Sequence, residues 1–141
     1  MRLTVEAEGQ PGAANLPGDG EELVAFMSFA LSRGFGATHP LIALADRLAE
    51  LRVPLGPMTT FYEREPLDAE DREKLELAWQ PAADLRVSLE KLLDALGSDP
   101  LAQALISRAK ASGLAEQVRA VLGMSIEAEA AGRRVRLVYD L

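Results

Sequence analysis

The sequence predicts a mainly α fold: a bundle of five or six helices with a small β-sheet formed by the N- and C-terminal segments, in one domain spanning 1–141. Three observations carry this. Apolar residues make up 48% of the chain but aromatics only 5%, so Leu, Ala and Val fill the core, a filling suited to helix-on-helix packing. The two ends alternate with a period of two: Leu3, Val5 and Ala7 against Thr4, Glu6 and Glu8, and Val135, Leu137 and Tyr139 against Arg136, Val138 and Asp140. Such alternation marks half-buried strands, and isolated strands leave backbone groups unmet, so the ends are expected to pair. Between them, glycines and prolines separate segments of helical period.

The residues after the first strand, from Gly9 to Gly20, are rich in breakers and read as a loop. A helix over 21–33 follows, with Glu21 and Glu22 in its first turn and Gly34 as its stop. Nearly everything from Leu23 to Leu31 is apolar, so this helix either runs through the centre of the bundle or gives its second face to another chain; a two-fold dimer through it is favoured. A second helix over 40–52 opens on Pro40 and places Leu41, Leu44, Leu48 and Leu51 on one stripe. Val53 to Pro57 breaks the chain, and 58–66 forms a long connection.

Asp68 caps a third helix, where Glu70 and Lys74 stand four apart. Pro81 imposes a kink or two abutting helices, and Trp79 is expected to be buried in the gap. Leu85, Leu89, Leu92, Leu93 and Leu96 then form an apolar face closed by Gly97. Asp99-Pro100 starts the next helix, expected to fold back on its predecessor as an antiparallel hairpin. Gly113 ends that helix, and a final helix then runs to about Leu122, stopped by Gly123. Residues 125–129 alternate, and a hairpin turning at Ala131-Gly132 would set Glu127 and Glu129 opposite Arg134 and Arg136. One long helix over 114–131 is the alternative, since Ala and Glu favour helix; the hairpin is favoured.

Composition excludes several functions. With no cysteine there is no disulfide framework, thiolate zinc site, iron–sulfur cluster or thiol nucleophile, in keeping with a reducing cytoplasm. No apolar run approaches the roughly 20 residues of a membrane span, and the N-terminus has no apolar leader core. A net charge of −7 argues against nucleic acid, because Arg133, Arg134 and Arg136 are the sole basic cluster. A lone His39 leaves no histidine pair for a transition metal, and beside Pro40 it reads as a surface or capping residue. Gly34 to Thr38 lacks the lysine and spacing of a phosphate loop and reads as a helix–helix turn. The acids Asp68, Glu70, Asp71, Glu73 and Glu76 interleave with Arg72 and Lys74, the mark of a solvated face.

The aromatic pair in Thr59-Thr60-Phe61-Tyr62-Glu63-Arg64-Glu65 either anchors a partner or folds back to seal the core, with sealing slightly favoured. The reading is therefore a protein-interaction or regulatory module, with a protein partner or self-association and no cofactor, metal or catalytic residue assigned. Its candidate contact residues are Phe26, Phe29, Phe61 and Tyr62. The alternative is a small-molecule-binding helical domain whose pocket is lined by the aromatic loop and Trp79. An enzyme built on carboxylates or Tyr62 is the least favoured reading.

Overall fold

The computed structural model describes residues 1–10, 12, 15–34 and 38–141. Among these residues there are six α-helices, a short 3-10 turn at Pro17–Gly20 and four strands. The strands are β1 (Arg2–Ala7), β2 (Phe61–Glu63), β3 (Gln80–Pro81) and β4 (Arg134–Asp140); the helices are α1 (Glu21–Leu31), α2 (Pro40–Glu50), α3 (Ala69–Leu77), α4 (Ala82–Ser98), α5 (Pro100–Ala109) and α6 (Leu114–Ala130).

The chain ends do pair. β1 runs antiparallel to β4, with Leu3 opposite Tyr139 and Ala7 opposite Val135. On the other edge of β4 lie β2, parallel, and β3, antiparallel. The three C-terminal arginines are held across the β1 pairing: Arg134 on Glu8, Arg136 on Glu6, and Arg133 on the Glu8 carbonyl at 2.9 Å. They therefore form no free basic face. Leu3, Val5, Val135 and Leu137 are buried and join the helices in one core. Gly20 allows this closure: its φ is +68°, and a Cβ there would come within 2.8 Å of the Leu3 Cβ.

α1 runs through the centre of the bundle. Leu23, Val24, Phe26, Met27 and Ala30 are buried within the chain itself, against α2, α6 and β1. Most of the apolar surface of this helix is thus covered internally, while Phe29 is half-buried and Leu31 is left 55% exposed. Buried Gln117 on α6 accepts a hydrogen bond from the Leu23 amide at 2.9 Å, satisfying one orphan donor at the start of α1.

The hairpin expected over 125–139 does not form. α6 continues through Gly123 to Ala130 and ends at Gly132 (φ +68°), where the Arg133 amide donates to the Ala128 carbonyl at 2.9 Å. Burial follows the helical period, since Ser125 and Ala128 are buried while Ile126 is 47% exposed. β1 is the partner that the hairpin would have supplied, so Arg134 and Arg136 pair with Glu8 and Glu6 and not with Glu127 and Glu129.

α4 and α5 do not form the expected antiparallel pair either. α4 packs along α6, where Arg86 bonds to Glu129, and α5 packs along α2. The pull on α5 is visible at its first turn. Asp99 caps the helix by accepting from the Ala102 amide at 2.9 Å, and Arg47 of α2 grips both oxygens at 2.7 and 3.0 Å. Pro81 separates α3 from α4 by an extended bridge to β4 and serves as the N-cap of α4.

Two outcomes follow. Gly123 sits inside α6 with open space where a Cβ would stand, so Gly123→Ala should stabilise by about 0.5–1 kcal/mol in urea unfolding; a hairpin here would give no such gain. The hydrogen bonds from Arg47, then from the Ala102 amide, draw the Asp99 carboxyl down to about 2 from 3.8. Because the folded value is the lower one, this contribution is complete above pH 3.8 and fades as pH falls toward 2. Asp99→Asn should therefore be less stable than wild type at neutral pH, with the gap closing on acidification, read as urea midpoints across that range.

Candidate functional site

A crevice of about 390 Å³ lies where β2 forms the sheet edge, and β2 takes up part of the connection expected over 58–66. Thr59, Thr60, Phe61 and Tyr62 all suit strands, the signal for β2 in the sequence. The preceding turn is fixed by hydrogen bonds from both threonine hydroxyls to the Leu55 and Gly56 carbonyls at 2.9 Å, and by Gln80 donating to the Pro57 carbonyl at 2.8 Å.

Phe61, Tyr62 and Glu63 all line the crevice. Consecutive strand residues point to opposite faces, so a crevice touching all three wraps around the strand edge. The Arg64 amide donates to the Tyr139 carbonyl at 2.9 Å. By the same alternation the Glu63 backbone faces the outer edge. Among the described residues, no segment outside the sheet bonds to the backbone of Phe61, Tyr62 or Glu63.

Its sheet side is aromatic: Phe61 of β2 and Tyr139 of β4 lie 5.8 Å apart with rings tilted by 60°. The last turns of α1 supply Ser28 and Leu31, the latter 55% exposed. α3 supplies Asp71 and Lys74 as the opposite wall. The start of that helix is fixed reciprocally. The Asp71 amide donates to Asp68 at 2.9 Å, and the Asp71 carboxylate accepts from the Leu67 amide at 3.1 Å.

Of the four contact residues expected from sequence, the crevice gathers Phe61 and Tyr62, both half-buried. Phe26 is fully buried in the core and presents no surface to a partner. Phe29 lies elsewhere, half-buried and stacked on His39 with ring centres 4.0 Å apart. His39 caps α2, its Nδ1 accepting from the Leu41 amide at 3.0 Å. The turn Gly34 to Thr38 falls largely outside the described residues, as do Pro11, Ala13 and Ala14 of the first loop. Leu31, Tyr139, Glu63 and Lys74 were missed as site residues because register and packing bring them together.

Trp79, expected to be buried, is half-buried and does not line this crevice. The Arg136 guanidinium lies over its ring at 4.3 Å. The same guanidinium bonds Glu6 at 3.2 Å and the Leu75 carbonyl at 3.0 Å. No residue of α3 is fully buried, so Arg136 is a main tether of this wall to the sheet.

The titrations that are displaced all move toward the charged form within ion pairs: Glu8 and Asp99 downward, Arg47, Arg86 and Arg134 upward, each chiefly through a side-chain hydrogen bond to its partner. None of the five lines the crevice. Among the described residues, no group of three or more His, Asp and Glu is placed to hold a metal ion, and no helix is long and apolar enough to cross a membrane. Comparison with protein-family models, curated proteins and solved structures returns no match.

Arg136→Lys should keep the charge but lose the forked contacts, costing roughly 1–2 kcal/mol. Amide exchange should accelerate across 69–77 while 82–98 stays protected; unchanged exchange in α3 would show that other contacts hold it.

Proposed function

We propose that this chain is a protein-interaction module that receives an extended segment of a partner protein along the open edge of β2. The observation that carries the reading is the crevice lined by three consecutive residues of an edge strand, because it places unpaired backbone and aromatic side chains on one concave surface. Strand addition to a sheet edge uses these two features: main-chain hydrogen bonds give affinity and flanking hollows give specificity. Leu31 and Leu67, 55% and 87% exposed, add apolar area around it. The cysteine-free composition supports a reducing, cytoplasmic setting.

The crevice volume also falls in the range of small-molecule pockets, which keeps a ligand-binding domain as the second reading. Four charged residues among its lining (Glu63, Glu65, Asp71 and Lys74) weigh against it, since such pockets are mostly apolar.

A photo-crosslinking residue at Glu65, in the crevice, is expected to yield a discrete protein adduct in the native cell. The same residue at Leu101, exposed on α5, should yield none. The adduct mass separates a second 15.2 kDa copy from a different protein. No adduct at 65, or equal adducts at both positions, would count against the proposal.

A further inference from the structure

The geometry points to a cationic partner segment: an extended stretch bearing lysine or arginine, whose charged side chain enters the β2 crevice over the Phe61 and Tyr139 rings, beside Glu63 and Glu65. This rests on the strand-addition reading above and specifies the chemistry of the occupant.

Charge complementarity is the first argument. The crevice is lined by three carboxylates, Glu63, Glu65 and Asp71, and one ammonium, Lys74. Lys74 already lies 3.8 Å from Glu70. Arg64, between the two glutamates in sequence, pairs with Asp140 at 3.3 Å. Among the described residues, neither Glu63 nor Glu65 forms an ion pair, whereas Glu6, Glu8 and Asp140 of the neighbouring strands and their ends each do. Two carboxylates left unpaired beside a hydrogen-bonding edge would repel an acidic segment and attract a basic one.

The aromatic floor is the second argument. Phe61 and Tyr139 line the same crevice as the carboxylates, and a cation held between aromatic rings and carboxylates gains from both. An aliphatic side chain would fill the floor but leave the glutamates unmet. The strand alternation supplies the third argument. Along a segment paired to β2, every second side chain falls on the inner face with Phe61 and Glu63, so one cation in an alternating sequence reaches this hollow without distorting the backbone.

Three acetylated, amidated hexapeptides test this: alternating lysine–valine, glutamate–valine and threonine–valine, titrated into the ¹⁵N-labelled protein. The lysine peptide is expected to shift the amides of residues 61–65 saturably. Its affinity should fall roughly tenfold in the double variant E63Q/E65Q, whose side chains make no ion pair that the fold needs, and should weaken as salt is raised. The glutamate peptide should not bind. An equal loss in E116Q/E127Q, two exposed positions of α6 away from the crevice, would mean diffuse attraction to an acidic protein and would overturn the inference. Three peptides of equal affinity at residues 61–65 would also overturn it while leaving strand addition standing. Absence of any shift at 61–65, with a crosslink still forming at position 65, would overturn both the basic segment and the strand geometry but not an interaction at this surface.

Discussion

Strand β4 is the constraint on which the rest of the molecule depends. Val135, Leu137 and Val138 are each at most 1% exposed, so the strand is buried on both faces and cannot leave its amides and carbonyls to water. Its partners come from three separate places: residues 2–7 along one edge, and residues 61–63 and 80–81 along the other. Once those pairings are fixed, the helices have little freedom. α1 and α2 fill the excursion between β1 and β2, α3 bridges β2 to β3, and α4 to α6 make the crossover that a parallel β2–β4 pairing demands.

The crevice is a by-product of the same constraint. β2 and β3 divide one edge of β4 between them, and the chain leaves that edge from residue 64 to residue 79 to build α3. The floor inherits the rigidity of the sheet, because Phe61 packs against the core and Tyr139 belongs to β4 itself. The α3 wall does not: its apolar content is small, and it is held by Arg136 through the Leu75 carbonyl and the neighbouring Trp79 ring. A firm floor beside a lightly held wall would suit the strand addition proposed for this edge.

Much of this was legible in the sequence wherever one local rule decided the outcome. The alternation of Leu3 to Ala7 and of Val135 to Tyr139 gave their pairing, and Asp68, His39 and Asp99 cap helices as their positions before helical segments implied. What escaped was decided by competition between distant segments. Ser125 to Glu129 has a strand-like alternation, but β1 already occupies the edge of β4 that a hairpin would need, so helix propensity prevails. The apolar excess of α1 looked like an interface because its cover depends on how α2 and β1 fold back on it and on α6, which is remote in sequence. Of the site, Phe61 and Tyr62 were visible as an aromatic pair among charges. Their assembly with Leu31 and Tyr139 depends on the parallel register of β2, which no local pattern encodes.

The place of β4 in the chain order has a kinetic consequence. Every strand that it binds precedes it, and the Arg136–Glu6 contact spans 130 residues. Helices need only their neighbours and form within about a microsecond, whereas a sheet organised around its last-made member must close long loops before any ladder bond rewards it. On the ribosome, β1, β2 and β3 are exposed before their common partner exists, beside helices that can already fold. Folding of this chain is therefore expected to be slow for a protein so rich in helix, with sheet closure as the committing step and the unpaired edges of the nascent strands as its point of exposure to misassociation.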